Sequence, residues 1–241
     1  MKEYQDVFKR YEKKYLLDGG TFRELFTRLQ EYMKPDRYGN TTVCNIYYDT
    51  PDHRLIRTSL EKPVYKEKLR LRSYGVPQKD AAVFVELKKK YKGVVYKRRI
   101  GMPLQEAERF LNCGENAVRK TQIEKEIGWV LGYYPRLAPA MFLSYDRIAA
   151  ICAENPNLRI TFDSRILWRE DALDLSAGAW GRQLLQPGQR IMEVKIPGSM
   201  PLWLARLLDE YQVYPASYSK YGNAYLASLE EKQEKGAVFC A

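Results

Sequence analysis

Histidine and cysteine are scarce in this chain, and their scarcity excludes several kinds of catalytic site. A single histidine, His53, stands among 241 residues, in a turn-like segment where we expect a solvated side chain. Without a second histidine, Ser-His-Asp and Cys-His arrangements and phosphohistidine intermediates would depend on His53 alone. The four cysteines form no C-x-x-C pair, so an ordinary zinc site is hard to assemble and we expect free, buried thiols.

Long apolar runs are also missing. No segment approaches the ~18 apolar residues needed to cross a bilayer, and the chain does not open with the apolar core of a signal peptide. No stretch rich in proline, glycine and serine divides the chain. We therefore expect one domain over residues 1–241, with a frayed tail after Gly236, a cytoplasmic location and no transmembrane segment.

Basic residues outnumber acidic ones, with 40 Lys and Arg against 30 Asp and Glu, for a formal net charge of +10. This excess favours phosphate-rich partners in general. By itself it does not distinguish nucleic acid, nucleotide, polyphosphate and membrane surface.

Strand-like segments carry the charge on one face. In segment 66–74, Lys68, Arg70 and Arg72 alternate with leucines, and in segment 83–90, Glu86 and Lys88 alternate with apolar residues in the same way. Cations on neighbouring strands repel by roughly 1–4 kcal/mol per close pair unless an anion or acidic groups lie between them. The pattern predicts a site for a polyanion. It argues against nucleic acid, because the basic residues alternate into an apparent interior instead of clustering on an exposed helix.

Eight segments have the alternation or the residue preferences of β-strands. They are residues 8–16, 42–49, 65–74, 82–90, 94–101, 140–149, 157–163 and 190–197. Amphipathic stretches between them predict helices at about 22–33, 103–112, 116–132 and 199–208, and from about Tyr218. Short hairpin connections favour antiparallel pairing. We predict an α+β fold, an eight-stranded antiparallel β-barrel with a polar, basic bore and an apolar exterior sheathed by helices.

An ordered set of short segments resembles the catalytic domain of the vacuolar transporter chaperone (VTC) polyphosphate polymerases, within the triphosphate tunnel metalloenzyme or CYTH superfamily. The segments are RYEKKY at 10–15, IYYDT at 46–50, KLRLRSY at 68–74, VFVELK at 83–88, YDR at 145–147, MEVK at 192–195 and SKY at 219–221. The resemblance covers about residues 9–225, and the ordered set is specific.

The resemblance implies a triphosphate tunnel in which basic side chains hold ATP while its γ-phosphate is transferred to a growing inorganic polyphosphate chain. Mn²⁺ or Mg²⁺ would be the cofactor. Such domains are often coupled to membrane machinery, and the sequence leaves open whether this chain has a separate membrane partner. The implied catalytic and phosphate-binding residues are Lys14, Arg70, Arg72, Lys88, Lys97, Arg147, Arg159 and Lys220, with Glu193 as the metal-binding carboxylate. Arg10, Lys68 and Lys195 would be further phosphate-binding residues of the tunnel, while Glu12 and Glu86 would orient neighbouring cations or supply a second metal contact.

One departure bears on the reaction. The tunnel triphosphatases of the wider superfamily open with Glu-x-Glu-x-Lys, whereas here Arg10 replaces the first glutamate ahead of Glu12 and Lys14. Loss of an acidic ligand favours the polymerase over a two-metal hydrolase that deprotonates water. Two alternatives stay open, which are an inorganic or nucleoside triphosphatase of the same fold and a non-catalytic module that binds polyphosphate or inositol phosphates.

Overall fold

The computed structural model describes residues 11–92, 94–113, 121–196 and 198–238. Within these ranges the chain forms one nine-stranded sheet and six α-helices. The strands are β1 (Tyr11–Leu17), β2 (Met33–Asp49), β3 (Tyr65–Tyr74), β4 (Ala82–Tyr91), β5 (Val94–Pro103), β6 (Ala138–Cys152), β7 (Arg159–Arg169), β8 (Arg182–Gln183) and β9 (Arg190–Ile196). The helices are α1 (Gly19–Leu29), α2 (Arg54–Leu60), α3 (Leu104–Cys113), α4 (Gln122–Tyr133), α5 (Leu202–Glu210) and α6 (Lys220–Val238).

The sheet curls so that side chains from its two ends meet. Its order is β1-β9-β7-β6-β2-β3-β4-β5, with β8 on β7, and the described pairings are antiparallel. In the described ranges no ladder joins the end strands β1 and β5, so the sheet is not a hydrogen-bonded barrel. Instead Lys88 Nζ on β4 donates to Glu12 Oε2 on β1 at 3.2 Å. The predicted α+β antiparallel fold is confirmed, and the closure differs from the expected barrel.

All eight predicted strands are present; most of their boundaries agree within a few residues and two are shifted further, while predicted strand residues 8–10 lie outside the described ranges. β2 begins at Met33 instead of residue 42, and β7 continues to Arg169 instead of ending at 163. The two-residue β8, which pairs with β7, was not predicted, because the segment around it has no alternation of apolar and polar residues.

The helices follow the predicted periodicity with two differences. The first is α1, which ends at Leu29, so Met33, expected on the same helix, instead begins β2. The second is an added helix. α4 begins at Gln122, where Thr121 and Glu124 form a capping box, and the predicted residues 116–120 lie outside the described ranges. α6 extends to Val238, past the predicted fraying point at Gly236, and residues 239–241 lie outside the described ranges. The addition is α2, which occupies a segment that reads as a turn.

Apolar residues cover the convex face of the sheet and pack under helices, as the alternation predicts. Leu69, Leu71 and Val85 are buried in one core together with residues of α3 and α4. Ile160 and Phe162 are buried in a second core together with residues of α1 and α5. The opposite, concave face carries the alternating charged residues, and we call this face the bore.

Part of the concave face is covered by α2 and α6. Tyr221 of α6 stacks on Tyr47 of β2, with 4.5 Å between ring centroids, and its hydroxyl donates to Asp49 Oδ2 at 2.9 Å. The same carboxylate accepts hydrogen bonds from the backbone N–H groups of Leu55 and Ile56 in the first turn of α2. Asp49 therefore ties both helices to β2 and determines where α6 enters the bore.

His53 and the two cysteines whose side chains the structure describes are packed against other residues. His53 precedes α2 with a φ of 55°, and its ring packs on Tyr225 at 5.1 Å between centroids instead of being freely solvated. Cys44 and Cys152 are free and buried, as expected. None of the helices within the described ranges is long and apolar enough to cross a membrane.

A charged bore as the candidate active site

The strand register brings charged residues from distant parts of the sequence onto the concave face. Arg70 lies opposite Glu86, Glu86 lies opposite Arg99, and Lys14 lies opposite Glu193. The predicted site residues found on this face or reaching it from α6 are Glu12, Lys14, Lys68, Arg70, Arg72, Glu86, Lys88, Lys97, Arg147, Arg159, Glu193, Lys195 and Lys220. Arg10 lies outside the described residues.

Glu86 is a buried carboxylate surrounded by cations. Its side chain is 1% exposed and lies 2.6 Å from Arg70 Nη2 and 2.7 Å from Lys97 Nζ. Arg99 Nε at 3.4 Å and Arg72 Nη1 at 3.6 Å complete the cluster. Burial alone would raise the pKa of Glu86, but Arg70, Arg72 and Lys97 hold it well below its usual range. Because each carboxylate oxygen already faces a cation, this geometry fits the orienting role expected of Glu86.

Asp163 is a second buried carboxylate, and it joins β6, β7 and α6. Arg147 donates to both of its oxygens, from Nε at 2.6 Å and from Nη2 at 2.8 Å, and Lys220 Nζ lies 2.5 Å from Oδ2. Burial would raise the pKa of Asp163, but Lys220 and Arg147 outweigh burial and lower it. Asp163 therefore fixes the positions of two cations expected to bind phosphate.

Lys14 and Lys68 contact the start of α6 instead of a carboxylate. Lys14 Nζ donates to the carbonyl oxygen of Tyr218 at 2.7 Å, and Lys68 Nζ donates to Ser219 Oγ at 3.0 Å. Burial, reinforced by neighbouring lysines, lowers the pKa of Lys68 to about 8, and burial also lowers the pKa of Lys14. A buried ammonium group with a lowered pKa is stabilised by any anion that reaches it, so both lysines favour a bound anion.

The remaining predicted cations lie nearer to solvent. Arg159 Nη2 donates to Asp36 Oδ2 at 2.8 Å, and Asp36 is carried by an irregular stretch where the register of β2 against β6 shifts. Lys195 Nζ lies 3.1 Å from Glu193 Oε1. Both pairs are on the bore face, because Arg159 and Lys195 are directly opposite each other in the β7–β9 ladder.

The carboxylates present fit a divalent metal that is shared with a substrate. The described residues contain no group of three or more His, Cys, Asp or Glu side chains that could hold a metal ion by themselves. Burial would raise the pKa of Glu193, but Lys195 and Lys14 hold it well below its usual range, and the charge of Glu12 is close enough to interact with Glu193. One or two carboxylates plus phosphate oxygens are a usual ligand set for Mg²⁺. Glu193 with Glu12 is therefore the candidate metal site.

Sequence reasoning missed several residues of the bore. Arg99 was detectable, because it follows Lys97 at the strand spacing of two, and Asp163 was on the predicted charged face of β7 without being assigned a role. No sequence pattern of this kind marks Tyr47 as a residue of the bore. Its hydroxyl lies 3.0 Å from Arg70 Nη1, and although burial alone would raise its pKa, Arg70 and Lys68 lower that pKa to about 8.

The sequence pattern of the VTC domain matches residues 9–229, which is most of the chain. The chain belongs to the VTC domain family. This match agrees with the resemblance seen in the ordered motifs, and it includes every bore residue named above. A sequence search of curated proteins finds no match for this VTC-domain chain.

Solved structures with a similar fold include three that are described as adenylate cyclases. An adenylate cyclase-like protein from Bacillus halodurans has a TM-score of 0.57 at 16% identity, over 89% of this chain and 96% of its own. A second from Vibrio parahaemolyticus has a TM-score of 0.51 at 15% identity, over 91% and 98%. HpAC1 from Hippeastrum, described as having a dominant triphosphatase activity, has a TM-score of 0.54 at 15% identity, over 90% and 95%. At such identities the likeness establishes the fold of the VTC-domain chain and nothing further.

Proposed function

We propose that this VTC-domain protein is a metal-dependent polyphosphate polymerase that transfers the γ-phosphate of ATP to a growing inorganic polyphosphate chain inside the bore. The observation that carries the proposal is the charge arrangement of the concave face. Its cations outnumber its carboxylates, and the two most enclosed carboxylates, Glu86 and Asp163, pair with several cations each. A phosphate chain supplies the negative charge that this arrangement lacks.

The arginines are placed to hold phosphates in a defined geometry. Arg70 is bound to Glu86 through Nε and Nη2, and Arg147 is bound to Asp163 through Nε and Nη2, so each guanidinium is fixed in orientation before a ligand arrives. Phosphoryl transfer through a loose transition state depends mainly on positioning and on stabilisation of charge. Prearranged arginines satisfy both needs without a protein nucleophile.

A line of lysines extends the basic surface beyond the arginines. In the β3–β4 ladder Lys66 is opposite Lys90 and Lys68 is opposite Lys88, and we call these four residues the lysine row. Like charges placed directly opposite each other on a sheet are unfavourable unless an anion lies between them. Lysine acts as a compact point charge on a flexible stem, which suits a chain that must slide. The lysine row therefore favours an elongating polyphosphate product, and not a single small triphosphate, as the ligand of this part of the bore.

Glu193 and Glu12 would hold Mn²⁺ or Mg²⁺ together with phosphate oxygens. When bound there, the ion would neutralise charge that develops on the transferred phosphate. The attacking group is the terminal phosphate of the acceptor chain, which is already an anion, so no general base is required. This agrees with a chain whose single histidine packs against α6.

Turnover and binding by a Glu193→Ala variant test the proposal. We expect this variant to lose ATP turnover with Mn²⁺ or Mg²⁺ while it still binds inorganic tripolyphosphate, and we expect Glu210→Ala, at a surface pair with Arg28, to change neither. Unchanged turnover in Glu193→Ala would contradict the role of Glu193. Wild-type protein that binds tripolyphosphate without any turnover would identify a binding module, and turnover to orthophosphate alone would identify a triphosphatase.

A further inference from the structure

The end of the bore opposite the lysine row carries aromatic side chains. β3 runs from Lys66 through Arg70 and Arg72 to Tyr74, and residues two apart on a strand share a face and lie about 6.6 Å apart. Tyr74 therefore continues the line of the arginines to the mouth of the bore. The residue is 52% exposed.

Neighbouring residues brace the Tyr74 ring. Phe84, which is opposite Arg72 in the β3–β4 ladder, contacts Tyr74 edge-on with 5.8 Å between centroids. The Arg99 guanidinium lies 3.5 Å from the centroid of Phe84 and 5.7 Å from that of Tyr74, and its Nη2 donates to the Tyr74 hydroxyl at 3.4 Å. A Cβ at Gly101 would lie 3.2 Å from Phe84 Cε1, so glycine there leaves the space that this ring occupies.

This combination differs from an ordinary exposed tyrosine. An aromatic ring with an accessible surface, held by a second ring and beside the Arg99 guanidinium, provides stacking and cation–π contacts for a planar heterocycle. The spacing from Tyr74 to Arg72 leaves room for a sugar between a stacked base and the first phosphate. The arginines and then the lysine row follow in the direction that a triphosphate and an acceptor chain require.

We propose that Tyr74, braced by Phe84 and Arg99, is the stacking platform for the base of the nucleoside triphosphate. The inference rests on the proposed function, and it assigns a direction to the bore. The base lies at the Tyr74 mouth, the triphosphate lies along Arg72 and Arg70, and the polyphosphate chain lies along the lysine row. The reacting γ-phosphate is then between the arginines and the lysines.

Calorimetric titration of ATP and of inorganic tripolyphosphate separates the base from the phosphates. Aromatic stacking of a base contributes about 1–3 kcal/mol, which corresponds to roughly a 5- to 150-fold change in affinity. We therefore expect Tyr74→Ala to weaken the binding of ATP by about that factor. Its affinity for tripolyphosphate should stay within about twofold of wild type, and Tyr74→Phe should retain both affinities. Tyr133→Ala is the matched control, because Tyr133 is 53% exposed and lies on α4 on the convex side.

Three results would overturn the platform. The first is an affinity for ATP that is unchanged in Tyr74→Ala. The second is a Tyr74→Ala variant whose affinities for ATP and tripolyphosphate are weakened equally. The third is a wild-type protein that binds ATP no better than tripolyphosphate. A wild-type protein that binds neither ligand would instead contradict the proposed function of the bore. Thermal unfolding of each variant verifies that the fold is retained.

Discussion

Replacement of Asp163 by asparagine tests how the bore holds its cations. Asp163 is 0% exposed, accepts hydrogen bonds from Arg147 and forms an ion pair with Lys220. Asparagine keeps the volume but leaves two buried cations without their shared anion. Loss of one partner of a buried ionic group costs about 3–5 kcal/mol, so the free energy of unfolding should fall by that amount. For a chain of this size each kcal/mol lowers Tm by about 2–4 °C, which gives a decrease of about 6–20 °C.

Asp146 provides a matched control one residue before Arg147. It binds Arg165 through the same two nitrogens, with Nε at 2.7 Å and Nη2 at 3.1 Å, but that arginine is half exposed. Exposed pairs contribute at most about 1 kcal/mol, so Asp146→Asn should lower Tm by only a few degrees. Thermal and urea unfolding of both variants gives the comparison.

The difference between wild type and Asp163→Asn should also depend on pH. Because the pKa of Asp163 is lowered in the folded protein, its stabilisation is present above the unfolded pKa of about 3.9 and is lost as pH falls through the folded value. Tripolyphosphate should raise the Tm of the variant, since it supplies the missing negative charge. Equal and small effects of both asparagine variants would refute the reasoning.

Three further predictions concern ionisation and backbone geometry. Affinity for tripolyphosphate should fall as pH rises through about 8, because binding of the anion requires the charged form of Lys68 and burial lowers the pKa of Lys68 to about 8. For the Lys68→Arg variant, titration calorimetry should show this loss of affinity at a higher pH. Glu86→Gln should lower the free energy of unfolding by about 3–5 kcal/mol, measured in urea, because four cations lose their shared anion. Gly181→Ala should unfold at lower temperature than Gly39→Ala, because at a φ of +148° its Cβ would lie 2.4 Å from Trp168 O, whereas no atom lies within 4 Å of a Cβ at Gly39.

Different results would contradict each of these predictions. A pH profile identical in wild type and Lys68→Arg would mean that another group controls anion affinity. Normal stability of Glu86→Gln would mean that the surrounding cations are not held by this carboxylate. Equal melting temperatures for the two glycine variants would show that the segment before β8 can move away from β7.

Strict alternation made the sheet and the faces of its strands predictable. Leu69 and Leu71 are buried under helices while Arg70 and Arg72 face the bore, because a strand must place alternate residues on opposite faces. The same rule predicted which face of β4, β7 and β9 carries charge. Alternation does not predict the order of the strands in the sheet. It therefore does not predict which charged side chains contact each other.

Most of what was missed depends on partners that are distant in sequence. Asp163 meets Lys220 through the entry of α6 into the bore, and that entry is set by Asp49, which also caps α2. The α2 segment follows a proline and reads as a turn, since its capping carboxylate lies several residues upstream. Asp36 reaches Arg159 from an irregular stretch of β2, and no local pattern predicts such a contact.

Phosphorus NMR of the products formed from ATP, with and without Mn²⁺ or Mg²⁺, tests the central claim most directly. The bore, with its prearranged arginines followed by the lysine row, predicts resonances of internal phosphates that increase with time in the presence of metal and are absent with Glu193→Ala. Orthophosphate as the sole phosphorus product besides ADP would contradict it.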